Sequence, residues 1–321
     1  KMSKRVGNVI DPFETLEVFG PDATRWYLIT NASPWDNLRF DIEGIKEVQR
    51  KFFGTLYNTY QFFALYANID QFHFEEATIP IDQRPEIDQW ILSTLHSLVD
   101  RVNKDLDDFE PTSAGRAIDA FVNDQLSNWY VRLSRRRFWK PARKENGIVN
   151  QHDQKDKISA YQTLFECLAT VSKLMAPIAP FFADWLYKNL LAEPSSSKKI
   201  SVHLTDFPVA NQGAINTDLE QRMTLAQDIS SLILSLRKKM NIKVRQPLNK
   251  VVIPSLGPEF ERRLSSVIEV IKSETNIKQI ELIPADNDFL KKRAKANFKT
   301  LGKKLGARMK WAAAEIQQLN N

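Results

Sequence analysis

Apolar side chains recur at helical spacing along the first two thirds of the chain. Between residues 45 and 67 they fall at positions 45, 48, 52, 56, 60 and 63, which places them on one face of a helix. Patterning, together with prolines and acidic residues near their starts, predicts four further helices, at about 21–30, 84–109, 111–139 and 155–176. Prolines also punctuate an apolar stretch that runs through residue 191. Helix-on-helix packing therefore accounts for residues 45–191.

The pattern changes after this bundle. The serine-rich segment 193–199 is a break, and residues 201–208 are expected to form a short extended segment. Beyond them we predict a helix, a strand, a helix and a strand, at about 217–240, 249–255, 258–274 and 277–284. The predicted fold class is mainly α, a helical bundle followed by a small α/β domain. Three regions are expected: a loop and junction at 1–44, the helical domain at 45–208 and the α/β domain at 209–321.

Charge is distributed unevenly along the 321 residues, although the net charge is only +6. Residues 1–124 hold 12 Lys/Arg against 21 Asp/Glu, a net of −9, whereas residues 125–321 hold 33 against 18, a net of +15. Basic charge concentrated in the second part indicates a polyanionic partner there, or a well-solvated surface.

Several classes of site are disfavoured. No apolar run approaches the roughly 18 residues of a membrane span, and the N-terminal residues do not resemble a signal peptide. Cys167 is the only cysteine, so no internal disulfide can form, and its apolar surroundings predict a small core residue rather than a reactive thiol. The four histidines never pair at ligand spacing, so we expect no metal site and no zinc in this region.

The first eight residues, KMSKRVGN, form the strongest local motif. A flexible Gly/Ser loop with Lys1 and Lys4 can wrap a triphosphate, because ammonium groups meet the charge that develops on phosphate oxygens. The alternative is a solvated basic segment without chemistry.

This motif resembles the KMSKS signature loop of class I aminoacyl-tRNA synthetases, with Arg5 in place of the last serine. The segments that follow are similar to the isoleucyl, valyl and leucyl group, in the same order: NVIDPFE, FGPDATRWYLI, RPEIDQWILS, MAPIAPFFADWLY and SVHLTDFP. SNWYVRLSRRRFW and NIKVRQPLNKVVIP look most like isoleucyl-tRNA synthetases. The resemblance covers nearly the whole chain and implies a zinc-less C-terminal part of such an enzyme, with an anticodon-binding helical bundle.

The resemblance implies roles for single residues. Lys1 and Lys4 would steady ATP phosphates, with Mg, in a full-length ligase that attaches isoleucine to its tRNA, while Met2, Ser3 and Gly7 would shape the loop. The other ATP-binding motif, His-x-Gly-His, is absent from this sequence. We therefore expect this polypeptide to catalyse nothing alone and to bind isoleucine-accepting tRNA as a cytoplasmic monomer.

The helix around WYVRLSRRRFW is the first candidate for RNA contact. The core face of this helix is expected at Leu126, Trp129, Tyr130 and Leu133. Arg132, Arg135 and Trp139 then point away from the core, with Arg136 to one side. Three cations and an indole suit phosphates and a base. The alternative is a solvated helix end whose cations favour the C-terminal dipole. Arg137 falls on the core direction and is either paired with a buried acid or past the helix end.

The terminal segment 289–311 is the second candidate, since it holds nine Lys/Arg and no acid. Its cations are interleaved with Phe298 and Trp311, which suits a polyanion clamp. The cations proposed to contact RNA are Lys291, Lys292, Arg293, Lys303 and Lys304. A basic amphipathic helix that docks on the protein itself, or a mobile tail, is the alternative.

Two rival interpretations stay open. The chain could be the same region of a valyl-tRNA synthetase, or a non-enzymatic helical module whose partner is protein.

Two aromatic clusters are expected to lie in the bundle core rather than to bind a ligand: Phe181, Phe182, Trp185 and Tyr187, and Phe52, Phe53, Phe62 and Phe63.

Overall fold

The computed structural model describes residues 10–72, 76–140, 151–191, 201–284 and 296–318. Within these ranges, helices α1 to α9 are Pro12–Phe19, Pro21–Asn31, Ile42–Val48, Gly54–Asp70, Glu86–Asp107, Pro111–Ala120, Arg132–Trp139, Gln151–Met175 and Pro180–Leu190. The later elements, in the order α10, β1, α11, β2, α12 and α13, are Thr217–Lys239, Leu248–Pro254, Pro258–Thr275, Ile277–Ile283, Phe298–Leu305 and Met309–Gln318. The predicted fold class, a mainly α chain with a small α/β part, is confirmed.

Two of the long helices contain π-helical turns. Residues Gln49–Phe53 join α3 to α4, and residues Phe121–Val131 join α6 to α7. The helices predicted from apolar spacing at 45–67 and 111–139 are therefore present as continuous helical segments. A π-helical turn accommodates extra residues without ending the helix, so periodicity located the segments without revealing these turns.

The chain divides into two compact units, residues 1–220 and 221–321. The division falls inside α10, whereas the sequence pattern placed a boundary in the preceding loop at 208/209. The three predicted regions stay a prediction, since compactness alone does not define their roles.

The first unit is a bundle in which α2 packs closely on α6. Gly115 makes this possible, because a Cβ atom there would come within 2.7 Å of the Thr30 side chain. The last carbonyls of α2 accept hydrogen bonds from α6: Thr112 Oγ1 donates to Ile29 O at 2.7 Å, and Arg116 Nε donates to Thr30 O at 2.7 Å. The C-terminal end of α2 is thus satisfied by side chains of its neighbour.

The aromatic clusters are only partly in the core. Phe52 and Phe63 are buried, and the Phe52 ring stacks on Trp26 at 4.0 Å between centroids. The core assignment is wrong for Phe181, which is 67% exposed, and for Trp185, which is 37% exposed. These two residues lie on the outer face of α9, because Ala183, Leu186 and Leu190 turn its other face inward.

The second unit contains β1 and β2 as a parallel pair with α11 between them in sequence, as the α/β pattern predicted. The register runs from Leu248 opposite Ile277 to Pro254 opposite Ile283. A parallel pair needs a crossover connection, which α11 provides. The apolar face of α11 is buried at Leu264, Val267 and Ile271.

The predicted extended segment at 201–208 is wrong in its middle, although Ser201 and Thr205 have extended backbone. Residues Val202–Leu204 form a 3₁₀ turn instead. Asp184 Oδ1 accepts hydrogen bonds from Ser201 Oγ at 2.6 Å and from Val202 N at 3.0 Å, which turns the backbone at this point. An alternating apolar pattern in eight residues could not reveal this tertiary contact.

Candidate nucleic-acid interface

The basic face of α7 is presented to solvent as the sequence predicted. Arg132, Arg135, Arg136 and Trp139 are all exposed, and the Trp139 side chain is 55% exposed. We call these four residues the α7 surface. Within the described residues, no hydrogen bond or ion pair engages the Arg135 or Arg136 side chain. Positive charge and a flat ring are therefore available on one short helix.

The opposite face of α7 is fixed in an aromatic core. Phe138 is buried, and its ring makes edge contacts with Phe62 and Tyr161, each at 5.0 Å between centroids. Tyr161 in turn stacks on Phe72 at 4.8 Å and donates a hydrogen bond from its hydroxyl to Asp70. Because Phe138 is held in this way, its neighbour Trp139 is presented outward from a rigid helix.

Arg137 resolves the alternative that the sequence left open, since it lies within α7 and pairs with a buried acid. Its Nη1 and Nη2 atoms donate to the two carboxylate oxygens of Asp88 at 2.6 and 2.7 Å. Its Nε donates to Asp156 Oδ1 at 3.0 Å. Asp88 is completely buried and also accepts hydrogen bonds from Tyr130 at 2.8 Å and Ser159 at 2.6 Å. A bidentate pair of this kind fixes both distance and orientation.

This network sets the electrostatics beneath the α7 surface. Burial is the largest single influence and would lower the pKa of Arg137, but the hydrogen bonds to Asp88 and the charges of Tyr130, Asp88 and Asp156 together outweigh it, so the pKa lies above its ordinary value. Burial raises the pKa of Tyr130 well above the usual value, and the neighbouring Asp88 charge adds to this effect. Arg137 therefore stays charged and is compensated by Asp88 and Asp156, so the exposed α7 cations must supply any charge for a ligand.

Arg132 makes an additional contact with the π-helical segment that precedes α7. Its guanidinium carbon lies 5.8 Å from the centre of the Trp129 ring, a cation–π arrangement. At the C-terminal end, Lys140 Nζ donates to Asp153 Oδ1 at 3.0 Å. Arg135, Arg136 and Trp139 are consequently the members of the α7 surface that are best placed to accept a ligand.

The second predicted surface is described only in part. Lys291, Lys292 and Arg293 lie outside the described residues, as does the side chain of Lys303. Lys304 is exposed on α12, and both aromatic residues of the segment, Phe298 and Trp311, are exposed.

The opening motif also lies outside the described residues. This applies to Lys1, Met2, Ser3, Lys4 and Gly7, so their predicted roles stay predictions. The described part of the chain begins just before α1, whose N-terminus is capped by Asp11: Oδ1 accepts a hydrogen bond from Phe13 N at 2.8 Å.

Sequence reasoning missed a third basic surface, which follows α10. Lys238, Lys239, Lys243 and Arg245 are all exposed, and the segment that carries them, residues 238–246, consists of the last two residues of α10 and the loop after it. We call this segment the Arg237 loop, after the buried arginine that precedes it. A signal was present in the sequence, because residues 229–258 contain six Lys/Arg and no acid.

Cys167 lies in the core as its apolar surroundings predicted, and His96 takes part in a backbone contact. Cys167 is buried, and burial raises its thiol pKa well above the ordinary value. His96 Nδ1 accepts a hydrogen bond from Asn211 N at 3.3 Å. In the described parts of the chain there is no group of three or more His, Cys, Asp or Glu side chains that could hold a metal. No helix in those parts is long and apolar enough to cross a membrane.

A protein-family comparison matches residues 88–253 to the anticodon-binding domain of tRNA ligase. The matched region covers slightly more than half of the chain and includes α5 to α10, with the α7 surface and the Arg237 loop.

Curated relatives match the chain over nearly its whole length. An isoleucine–tRNA ligase of Bacteroides fragilis is 52% identical over 320 residues, which is 100% of this chain and 27% of that protein. One from Cytophaga hutchinsonii is 55% identical over 319 residues, or 99% of this chain and 28% of that protein. The chain thus spans about a quarter of the length of these relatives. Among solved structures, Mycobacterium tuberculosis methionyl-tRNA synthetase with methionyl-adenylate has 20% identity and a TM-score of 0.49, covering 59% of this chain and 35% of that one.

Proposed function

The chain belongs to the family of anticodon-binding domains of tRNA ligases, and from this we propose that it is the tRNA-binding C-terminal region of an isoleucine–tRNA ligase. In the full-length enzyme the reaction would be the ATP-dependent attachment of isoleucine to its tRNA. The role of this chain is to bind the anticodon part of that tRNA.

The α7 surface carries the proposal. Arg135 and Arg136 supply charge for phosphates, and Trp139 supplies a face on which an unstacked base can stack. The helix is held by the Arg137–Asp88 pair and by Phe138, so these groups are positioned before RNA arrives. A preorganised surface loses less conformational entropy on binding than a mobile one.

ATP chemistry is proposed only for the full-length enzyme. There Lys1 and Lys4 would contact the ATP phosphates, with Met2, Ser3 and Gly7 shaping the loop and Mg bound to the nucleotide. The terminal cations Lys291, Lys292, Arg293, Lys303 and Lys304 are proposed as further tRNA contacts. A cytoplasmic monomer is the form that we propose.

Binding of the chain to a panel of tRNAs tests the function. We expect tRNA with an isoleucine anticodon to bind more tightly than tRNAs with valine or methionine anticodons. The Trp139→Ala substitution should weaken cognate binding by about 1–3 kcal/mol, the range for one base stacked on an aromatic side chain. Trp35→Ala is the matched control, because Trp35 is also exposed and lies outside the α7 surface.

Each of these measurements tests the proposed function against one rival interpretation. Equal binding of all three tRNAs would remove the reason for preferring isoleucine over valine. Affinity that stays flat between low and moderate salt would contradict RNA binding and favour a module whose partner is protein, since phosphate contacts release counterions. Equal losses for Trp139→Ala and Trp35→Ala would exclude the α7 surface as the base-contacting site.

A further inference from the structure

The Arg237 loop lies within a long stretch of chain that contains basic residues and no acidic ones. Residues 229–258 hold six Lys/Arg and no Asp or Glu. Cations in the last turn of a helix often serve its C-terminal dipole. Lys243 and Arg245, however, lie beyond the end of α10, at Lys239. The dipole of α10 therefore does not explain half of the four exposed cations.

The carbonyls at the end of α10 are already satisfied by backbone groups. Met240 N donates to Leu236 O at 3.0 Å, and Ile242 N donates to Arg237 O at 2.8 Å. Asn241 N donates to Lys238 O at 3.1 Å, with Asn241 in a left-handed conformation at φ 55°. The lysine side chains of the loop are thus not required as caps and are free to face outward.

A single buried arginine gives the loop its shape. The Arg237 side chain is inward, and the residue is only 2% exposed. Its Nη1 donates to Lys243 O at 3.1 Å and to Gln246 O at 3.0 Å. Its Nη2 donates to Asn276 O at 3.1 Å, which ties the loop to the residue before β2. Asn276 Nδ2 returns a hydrogen bond to Val244 O at 2.9 Å. The loop is therefore a built structure and not a loose basic segment.

The charge of Arg237 is not balanced within the described residues. Its described partners are three backbone carbonyls and no carboxylate, and its buried Nε has no partner among them. Buried charges are normally paired, because desolvation is costly. Among the described residues, a buried cation that has no carboxylate partner therefore adds to the positive potential of the four exposed cations.

We propose that the Arg237 loop is a second RNA contact that binds phosphates without reading sequence. This inference rests on the proposed function, since the RNA is taken to be tRNA. The exposed cations Lys238, Lys239, Lys243 and Arg245 neutralise phosphates, while Arg237 positions the backbone that carries them and adds its own charge. The loop has no aromatic residue for base stacking, so its contribution is the same for every tRNA.

The salt dependence of tRNA binding by the 321-residue chain tests this site. In the triple variant Lys238→Ala, Lys243→Ala, Arg245→Ala, the log–log slope against salt should fall by about 0.7–0.9 per lost contact. Between 50 and 200 mM salt, the wild-type chain should therefore lose roughly 20- to 40-fold more affinity than the variant does. The difference should be equal for isoleucine and valine anticodons.

The control removes the same charge elsewhere. In Lys46→Ala, Lys51→Ala, Lys104→Ala, three exposed lysines leave helix surfaces of the first unit, each next to an acid. This variant should keep the wild-type slope. Equal slopes in both triple variants would overturn the site and leave the proposed function standing. Binding of tRNA that depends on the loop but shows no preference among anticodons would overturn the proposed function and leave the site standing. Displacement by polyglutamate as effective as displacement by tRNA would replace RNA with an acidic protein as the partner.

Discussion

The α7 surface and the Arg237 loop are both basic surfaces, but the arginine that supports each one is neutralised to a different extent. Each presents several exposed cations next to one arginine whose side chain is turned inward. In the first unit Arg137 is paired with Asp88 and Asp156, so its charge is cancelled and it acts as a structural anchor. In the second unit the described partners of Arg237 are carbonyls alone, so its hydrogen bonds are largely satisfied but its charge is not. Arg137 thus stabilises the local structure only. Arg237 both stabilises its loop and contributes positive electrostatic potential.

The surroundings of the two surfaces fit this difference. Trp139 stands beside Arg135 and Arg136, so under the proposed function the α7 surface would stack a base on the ring and discriminate between bases through guanidinium hydrogen bonds to the base edge. The Arg237 loop offers charge and no ring, which supplies affinity without discrimination. Anticodon recognition would then depend on the first surface, and general affinity for tRNA on both.

Removing Arg137 should have the largest effect on stability. Arg137→Met leaves Asp88 completely buried without its cation, so we expect the first unit to lose about 3–5 kcal/mol. Because a chain with two units need not unfold in one step, amide hydrogen exchange in α5 and α8 is the suitable measurement. Tyr130→Phe is the control, since it removes one of several hydrogen bonds to Asp88 and should cost about 1 kcal/mol. If Arg137→Met cost no more than this control, the pair would not be the anchor described above.

Removing Arg237 should lower stability less than removing Arg137 does, because the two arginines have different partners. Arg237→Met leaves carbonyls without a donor but leaves no described carboxylate without a cation, so the expected loss is about 1–3 kcal/mol in the second unit. Hydrogen exchange in β1, β2 and α11 measures it.

A matched substitution separates the two roles of Arg237. Arg237→Lys retains the charge but cannot span carbonyls of Lys243, Gln246 and Asn276 with one fork. It should loosen the loop while retaining more of the salt-dependent tRNA affinity than Arg237→Met retains. Identical tRNA affinity for the two variants would mean that the charge of Arg237 contributes nothing to the potential.

The smallest expected effect is a pH dependence of stability, which we expect in the first unit and not in the second. Burial lowers the pKa of His96 in α5, so the folded chain binds a proton there less readily than the unfolded chain does. The stability of the first unit should therefore be complete above the ordinary histidine pKa of about 6.5 and should decline as pH falls below it. The second unit, residues 221–321, contains no histidine and lacks this dependence.

The measurement is hydrogen exchange of α5 between pH 7.5 and 5.5, corrected for intrinsic exchange rates. His96→Gln serves as the reference, because the difference between wild type and variant isolates this residue from the carboxyl groups that also titrate. A difference that stays constant across this range would contradict a lowered pKa for His96.

Some features of this protein were determined by sequence alone. Apolar spacing located the helices at 45–67 and 111–139 because burying one face of a helix demands that spacing, whatever the helix packs against. The same logic placed Arg132, Arg135 and Trp139 on the outer face of α7. Motif similarity identified the family, because many specific residues occur in the same order.

Other features were decided only by tertiary structure. Sequence patterning left two alternatives for Arg137, and only the tertiary structure, in which Asp88 of α5 meets Arg137 of α7, showed that Asp88 is its partner. The sequence could not show that Phe181 and Trp185 lie outside the core, because prolines and aromatic residues on every side of a short helix leave its buried face ambiguous. The acid-free stretch around Arg237 is visible in the sequence, but the sequence does not show that Arg237 is buried or which groups it contacts. Whether a cation is cancelled or remains a source of potential depends on which groups lie within a few ångströms of it, and those groups are 39 residues away in sequence for Asn276 and 49 for Asp88.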